Sequence, residues 1–205
     1  MNKNKIEIIL NEKDFPNLVI KNKAKVLIDD TDINSSLLED SKYSGFVPLE
    51  LHKDENTAYN VIQITSENFN SKIQQKIQNG LDVFSKDVEG FWWDMESAKN
   101  RLNNNWVFCT IEDGGEIISW VWYDPNQDLA GNQYTLEGYR NKGMAYSTSM
   151  ATIKTAKRFN KKILYGYTNE WNYPALCQLK KAGWVELQPG RITKEKYEKM
   201  LKENK

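Results

Sequence analysis

A turn between a strand-like run and a helix-like run carries the residue types that bind a phosphate. The strand-like run covers residues 133–136, and the helix-like run covers residues 145–159. The first turn of a helix directs backbone N–H groups out of its N-terminus, where they bind anions. The turn before this helix consists of Arg140, Asn141, Lys142 and Gly143. Because two cations add charge and a glycine lets a ligand approach the backbone, the sequence predicts a phosphate-binding turn.

This turn differs from the two common nucleotide-binding loops. A Walker loop needs a second glycine and a Lys-Ser or Lys-Thr pair, and the sequence around Gly143 has neither. The dinucleotide pattern GxGxxG does not occur there either. Basic glycine turns before helices are also common as plain connections, so the interpretation depends on a second motif elsewhere in the chain.

Residues 140–145 match the pattern Arg-x-x-Gly-x-Ala, which resembles the pyrophosphate loop of the GNAT superfamily of acyl-CoA N-acyltransferases. The Tyr-Thr-Leu run at residues 134–136 and Tyr139 are similar to the strand and turn that lead into that loop. A second motif covers residues 172–184. It begins with Asn172 and continues through a short amphipathic helix that ends in Lys-x-Gly-aromatic, as in the superfamily. Two motifs in the superfamily order indicate a GNAT fold.

The resemblance implies an α/β (α+β) fold, with a mixed central sheet flanked by helices. In this interpretation residues 61–205 form the GNAT acyltransferase domain, and residues 1–60 form a β-rich N-terminal extension. Two roles stay open for the extension, which either adds strands to the main sheet or forms a wall on the substrate side. Residues 193–204 carry conflicting signals, since the resemblance requires a last strand there while propensity and apolar spacing favour a helix. If they form a helix, an N-terminal strand would replace the missing edge.

Apolar spacing and turn residues predict the other elements. Spacings of three and four predict amphipathic helices, and short apolar runs between polar turns predict strands. An Asp-Gly pair between two apolar runs predicts a β-hairpin, and the polar residues 52–60 are interpreted as a linker. The predicted helices cover residues 71–84, 91–102, 145–159 and 174–181, and the predicted strands cover residues 6–10, 18–20, 26–28, 45–51, 61–65, 106–111, 116–123, 133–136, 162–167 and 184–187.

The resemblance implies acetyl-CoA as co-substrate and no metal. The backbone of residues 134–136 would pair with the pantetheine arm, where strands 133–136 and 162–167 splay apart to admit it. A backbone N–H freed there would polarise the thioester carbonyl. Asn172 would hold the pantetheine or a water, and its side chain also suits the N-cap of the following helix. The residues assigned to the cofactor are Tyr134, Thr135, Leu136, Arg140, Asn141, Lys142, Gly143, Met144, Ala145 and Asn172.

The groups that would move protons are less clearly defined. An amine needs a carboxylate, or a water relayed by one, to take its proton. Glu112, Glu116, Asp124 and Glu137 fall near the expected cleft, but each fits a solvated hairpin or loop position. Many superfamily members protonate the leaving thiolate with a tyrosine whose position matches Leu179 here, so the acid is unassigned. The weak catalytic candidates are Glu137, Asn172 and Tyr173.

Cys177 lies in the predicted helix of the second motif and is expected to be a small buried hydrophobe. Activation of a thiol needs a base, and the one histidine of the chain, His52, lies in the predicted linker. Tyr165, Tyr167 and Tyr173, which lie near Cys177 in the sequence, are expected to pack.

Four tryptophans fall in elements that usually form the acceptor side of a GNAT protein. Trp120 and Trp122 would point to the same face of a strand, because side chains alternate along it. A core role is expected for each tryptophan. Stacking on a sugar or an apolar acceptor is the alternative for the whole group, which is Trp92, Trp93, Trp120 and Trp122.

Composition argues against several classes of function. The chain has 205 residues, and its 28 Lys and Arg balance its 28 Asp and Glu, so no net field favours nucleic acid or a membrane. Two cysteines and one histidine are too few for a disulfide framework or a zinc site. Residues 1–10 contain no signal-peptide core, so a cytoplasmic location is expected by default.

These observations predict an N-acetyltransferase that transfers an acetyl or other short acyl group from acetyl-CoA to an amine by direct attack. The acceptor would be a small molecule, an amino sugar or a protein. The alternative is a GNAT-fold binding or interaction module with little turnover, which Leu179 and the N-terminal extension favour. Either hypothesis is compatible with a homodimer.

Overall fold

The computed structural model describes residues 5–20, 23–29, 42–88, 94–169 and 172–187. The chain divides into two compact units. One unit is Glu55–Phe159, and the other combines Met1–Asp54 with Asn160–Lys205. Residues 193–204, where a helix and a strand compete in the sequence, lie outside the described residues.

The described residues form nine strands, four α-helices and a 3-10 turn. None of these helices is both long enough and apolar enough to span a bilayer. The strands are β1 (Lys5–Asn11), β2 (Lys23–Asp29), β3 (Lys42–Pro48), β4 (Ile62–Ile64), β5 (Val107–Asp113), β6 (Glu116–Asp124), β7 (Leu129–Thr135), β8 (Ile163–Asn169) and β9 (Val185–Glu186). The helices are α1 (Ser71–Asp87), α2 (Met95–Asn103), α3 (Met144–Arg158) and α4 (Tyr173–Lys181), and the 3-10 turn is Glu137–Tyr139.

The start of α2 is set by a capping carboxylate. The Asp94 side chain accepts a hydrogen bond from the Ser97 backbone N–H at 2.7 Å, which is the usual N-cap arrangement. The same hydrogen bond lowers the pKa of Asp94. The helix predicted over residues 91–102 therefore begins at Met95.

Strands β4, β5, β6 and β7 of the unit Glu55–Phe159 pair in that order, each antiparallel to the next. The turn between β5 and β6 has two residues, Gly114 and Gly115, with φ angles of 59° and 91°. A type I′ hairpin turn requires positive φ at both positions, which glycine adopts without steric cost. The hairpin predicted from the Asp-Gly pair is confirmed.

An apolar stripe on α1 packs against this sheet. Ile77, Leu81 and Phe84 are buried, and Ile73 is partly buried against the same cluster. These are the four positions whose spacing predicts the helix, because residues three and four apart share one face. The stripe of α1 is therefore confirmed.

The tryptophans of β6 belong to the core that α1 covers. Trp120 and Trp122 are 2% and 0% exposed. Trp122 stacks on Phe108 with the ring centroids 4.1 Å apart. Their predicted core role is confirmed, and burial excludes stacking on an acceptor for these two. Trp92 and Trp93 lie outside the described residues.

α3 packs against β5, β6 and β7, and five of its nine buried side chains carry hydroxyl groups. Apolar spacing predicts a buried stripe of Tyr146, Met150 and Ile153 on this helix. Met150 and Ile153 are buried, whereas Tyr146 is half-buried and its hydroxyl donates to Glu55 at 2.7 Å. Each of the buried hydroxyls has a hydrogen-bond partner, which is what permits its burial. These side chains are Ser147, Thr148, Ser149, Thr152 and Thr155.

In the other unit, β3 lies between β8 and β9 and is antiparallel to both. Phe46 of β3 is opposite Tyr165 of β8 and Val185 of β9. The N-terminal extension thus adds a strand to a sheet, which is the first of the two roles left open by the sequence. The strand predicted over residues 45–51 ends at Pro48, and one further backbone bond follows, from the Leu49 N–H to the Lys162 carbonyl oxygen at 2.9 Å. β1 and β2 form a separate two-stranded sheet.

The interpretation of His52 as part of a linker is wrong. His52 is 4% exposed, and its Nε2 lies 2.9 Å from the carbonyl oxygen of Ala182. Gly183 has a φ of +87°, and a Cβ added there would lie 3.0 Å from the imidazole Cδ2. Leu18 forms an isolated bridge with His52 in place of the strand predicted over residues 18–20. Local apolar spacing could not reveal a polar ring whose partners lie 130 residues away.

Candidate functional site

β7 leads into the predicted phosphate-binding turn. It covers Leu129–Thr135, whereas the sequence predicts only residues 133–136 as strand. Its pairing with β6 shifts by one residue between Trp120 and Trp122. Asn132 lies in this bulge with a φ of +54°, a conformation in which asparagine is enriched. Because a bulge increases the local twist, it sets the direction in which the end of β7 leaves the sheet.

The backbone N–H and C=O of Thr135 point away from β6. The neighbouring Leu136 N–H donates to the Ile118 carbonyl oxygen of β6 at 2.9 Å. Backbone groups alternate along an antiparallel strand, so those of Thr135 point to the opposite edge of β7. In agreement with this, the Thr135 carbonyl oxygen accepts a hydrogen bond from Arg140 Nε at 3.1 Å.

Two left-handed residues turn the chain from β7 into α3. Asn141 and Gly143 have φ angles of +62° and +84°. Gly143 is the N-cap of α3, and its carbonyl oxygen accepts the Ser147 N–H at 3.1 Å, so the helix begins at Met144. Outside Gly143 and its two chain neighbours, no atom lies within 4 Å of the position that a Cβ on Gly143 would occupy. Gly143 at the start of α3 therefore borders open space, which suits an anion-binding turn.

Both cations of the turn bind the segment that precedes it, at the end of β7 and in the 3-10 turn. Besides its bond to Thr135, the Arg140 guanidinium donates to the Tyr134 hydroxyl at 3.2 Å and lies 5.4 Å from the centre of that ring. The Lys142 ammonium donates to the Gly138 carbonyl oxygen at 2.9 Å. These hydrogen bonds hold the two positive charges close to the turn. The hydrogen-bond donors at the start of α3 are backbone N–H groups.

Tyr139 anchors the turn to the β5–β6 hairpin. Its hydroxyl donates to the Asp113 carboxylate at 3.0 Å, and this bond raises the pKa of Tyr139. The Lys142 ammonium lies 5.1 Å from the centre of the same ring. Tyr139, which precedes Arg140, is thus bonded to the hairpin, and Lys142, which follows Arg140, lies over the Tyr139 ring.

The Tyr134 side chain links β7 to the last turn of α1. Its hydroxyl donates to the Asp87 carboxylate, and its ring packs edge-on against Phe84 with centroids 4.8 Å apart. Burial and the bond to Asp87 raise the pKa of Tyr134 to about 12, although Arg140 opposes the shift. The phenol is therefore protonated at neutral pH. Sequence reasoning missed Asp87, because a charged residue in the last turn of an amphipathic helix normally marks only its solvated face.

Three of the four carboxylates expected near the cleft have partners of their own. Glu112 forms an ion pair with Lys76, and Glu116 accepts a hydrogen bond from Asn79 at 3.0 Å. Asp124 is 2% exposed and accepts the backbone N–H two residues further on at 2.9 Å, so its expected solvated position is wrong. Among the described residues, no group of three or more His, Cys, Asp and Glu side chains could hold a metal ion.

The weak catalytic candidates belong to different units. Glu137 is exposed in the 3-10 turn that follows β7. Asn172 is the N-cap of α4, since its Oδ1 accepts the Ala175 N–H at 3.4 Å, and this predicted role is confirmed. Tyr173 is the first residue of α4 and is half-buried.

The packing roles expected for α4 and β8 are confirmed only in part. Cys177 is half-buried, not buried as expected, and burial raises the pKa of its thiol while Lys180 opposes the shift. Tyr165 is 4% exposed and packs as predicted, but Tyr167 is 39% exposed. Leu179, which replaces the usual tyrosine, is half-buried on α4.

Comparison with known proteins identifies structural relatives. No protein-family model matches the sequence, and no curated protein matches it. A GCN5-related N-acetyltransferase from Sphaerobacter thermophilus matches 71% of this chain over 48% of its own length, with a TM-score of 0.53 and 10% identity. A GNAT-family protein from Novosphingobium aromaticivorans matches 71% of this chain over 60% of its own length, with a TM-score of 0.51 and 12% identity. A GNAT-family acetyltransferase from Staphylococcus aureus matches 65% of this chain over 90% of its own length, with a TM-score of 0.50 and 16% identity.

These relatives bear on the fold alone. The chain spans about half of the Sphaerobacter protein and three fifths of the Novosphingobium protein. Function depends on the site, because one fold hosts many activities. The fold implied by the two sequence motifs is confirmed: this chain has the GNAT fold.

Proposed function

We propose that this chain is an N-acetyltransferase, which transfers an acetyl or other short acyl group from acetyl-CoA to an amine. The observation that carries the proposal is the open start of α3 at Gly143, in a chain with the GNAT fold. A diphosphate needs backbone donors and positive charge, and this turn offers both. Acetyl-CoA would supply an activated thioester, and the acceptor would be a small molecule, an amino sugar or a protein.

The turn would hold the diphosphate. The backbone of residues 141–145 would donate to its oxygens, and Arg140 and Lys142 would neutralise its charge. Both side chains already lie in the turn, where their present partners are a carbonyl oxygen and a phenol. Exchanging such exposed contacts for a phosphate oxygen is favourable, because hydrogen bonds between two charged groups are the stronger kind.

The end of β7 would hold the thioester. The Thr135 N–H points to the edge of β7 opposite β6, so it suits a donor to the carbonyl oxygen, where negative charge develops during attack. The Leu136 N–H is bonded to Ile118 and suits this role less. Asn172 would contact the pantetheine arm or a water while it caps α4.

A carboxylate would take the proton of the acceptor amine. Asp87 suits this step best among the described carboxylates, because it is exposed and contacts the side chain next to Thr135. Glu137 is the second candidate, since it is exposed on the turn that follows β7. Each would act directly or through one water.

The amine would attack the thioester directly, with no acyl-enzyme on Cys177. We expect Cys177→Ala to keep at least half of the turnover, because a thiol with a raised pKa and no activating base is a poor nucleophile. Thiol release from acetyl-CoA measures this. Cys109→Ala is the matched control: that thiol is fully buried with its pKa raised to about 11, so its loss should lower stability alone. Mass-spectrometric trapping of acetyl-Cys177, together with loss of activity in the alanine variant, would contradict direct attack.

Binding of CoA should raise the melting temperature. A ligand that binds only the native state, at about 100 times its dissociation constant, adds about 2.7 kcal/mol to the free energy of unfolding. For a chain of this size each kcal/mol raises the melting temperature by about 2–4 °C, so a shift of roughly 5–10 °C is expected. Differential scanning fluorimetry with CoA and with acetyl-CoA measures it.

A thiol-release assay with an amine library then separates the two functions. Turnover with any amine supports the transferase. A thermal shift without turnover would support the binding module that Leu179 favours. Absence of both a shift and a calorimetric heat at millimolar CoA would contradict the transferase and leave only a module that binds another partner.

A further inference from the structure

The two-stranded sheet of β1 and β2 has one buried face and one exposed face. Leu10 and Ile28 are 0% and 1% exposed, so their face lies against the protein. Side chains alternate along each strand, so the neighbouring positions project from the opposite face. Asn11 lies at the end of this opposite face, and we call its four neighbouring side chains Glu7, Ile9, Lys25 and Leu27 the β1–β2 face.

Two of these four side chains are apolar and exposed to solvent. Ile9 is 57% exposed, and Leu27 is 51% exposed. A sheet that faces water on one side normally carries polar residues there. The β1–β2 face therefore departs from the ordinary pattern at two neighbouring positions.

The strand register places like residues on diagonals. Glu7 is opposite Leu27, and Ile9 is opposite Lys25. The apolar pair thus occupies one diagonal of a four-residue patch, and the charged pair occupies the other. Lys25 and Glu7 form an ion pair across the centre, with 55% and 46% of their side chains still exposed.

We propose that the β1–β2 face binds the same face of a second copy of this chain. A two-fold axis along the Ile9–Leu27 diagonal places Ile9 on Ile9 and Leu27 on Leu27. The same rotation places Glu7 of each copy over Lys25 of the other. The interface would then contain four charges that alternate in sign, with an Ile9–Ile9 contact at one end and a Leu27–Leu27 contact at the other.

The charge pattern selects a second copy as the occupant. A partner with a uniformly acidic or basic surface would place a like charge over either Glu7 or Lys25, which is unfavourable. A purely apolar partner would bury the ion pair without compensating it. A surface with opposite charges on one diagonal matches, and the chain itself carries one.

The association should be weak. A face of two short strands is smaller than the roughly 800 Å² per partner of a standard interface. We therefore expect a dissociation constant on the order of 0.1 mM, so the tests must detect brief encounters.

Disulfide trapping tests the geometry. In a Cys177→Ala background, the axis places two copies of an Ile9→Cys thiol against each other. Val19→Cys is the matched control, because Val19 is 52% exposed but lies outside the four-residue face. Under a mild oxidant we expect Ile9→Cys to form covalent dimers at least tenfold faster than Val19→Cys. Equal rates for the two variants would overturn the proposal.

Charge reversal tests the pairing between copies. Glu7→Lys and Lys25→Glu should each abolish self-association in sedimentation equilibrium at about 1 mM, since like charges would then meet. An equimolar mixture of the two variants should associate again, because every Lys meets a Glu. A purely internal role of the ion pair predicts no recovery in the mixture. Unchanged self-association of both single variants would also refute the inference.

Discussion

Gly143→Asp should weaken CoA binding at least 100-fold, which corresponds to about 2.8 kcal/mol at 1.4 kcal/mol per decade. A carboxylate at this position would enter the space beside Gly143, where a Cβ would meet no atom within 4 Å outside the glycine and its two chain neighbours. It would repel the diphosphate and fill the space that the backbone donors face. Isothermal titration calorimetry with CoA measures the loss.

Two control variants separate charge from backbone strain. Gly143→Ala adds only a methyl group at a φ of +84°, which costs about 1–2 kcal/mol of stability for an L-residue. Gly138→Asp adds the same charge to the same turn, at a glycine with open space and no positive φ. We expect Gly138→Asp to weaken CoA binding at least tenfold less than Gly143→Asp does, since its carboxylate lies beside Lys142 and not at the start of α3. Wild-type affinity in Gly143→Asp would place the CoA site elsewhere.

The turn could be predicted from the sequence because its signals are local. Gly143 stands where the chain needs a positive φ, and α3 begins at the next residue. The contacts of Arg140 with Tyr134 and Thr135 could not be predicted, because they depend on how β7 ends against the turn. The contact of Asp87 with Tyr134 could not be predicted either, because it joins residues 47 positions apart.

The fold was predictable where periodicity and turn chemistry agree. The stripe of α1 and the Gly114–Gly115 hairpin follow from spacing and from conformational freedom. The position of β3 between β8 and β9 does not follow from spacing, because strand order depends on long-range pairing that local patterns leave open. The burial of His52 follows from the same pairing of distant segments, since its partner is the carbonyl of Ala182.

Trp122→Ala should lower the free energy of unfolding by about 3–5 kcal/mol, the usual cost of truncating a buried aromatic residue. The side chain is 0% exposed, stacks on Phe108, and meets the Trp106 ring edge-on at 6.4 Å. A loss of this size is a large part of the roughly 5–15 kcal/mol that stabilises a typical protein. Urea unfolding followed by circular dichroism measures it, and the slope with urea should stay constant if the native state remains compact.

Trp106→Ala is the matched comparison, because it removes an indole at the edge of the same cluster. Trp106 is only partly buried, and its ring is covered by the Arg101 guanidinium at 4.3 Å. We expect Trp106→Ala to lower the free energy of unfolding by about 1–2 kcal/mol, because folding removes less of this side chain's apolar surface from water. Neither variant should change the affinity for CoA, because both rings belong to the core beneath β6. If Trp122→Ala were as stable as the wild type and instead raised KM for an amine, the indole would line the acceptor site and its assignment to the core would be wrong.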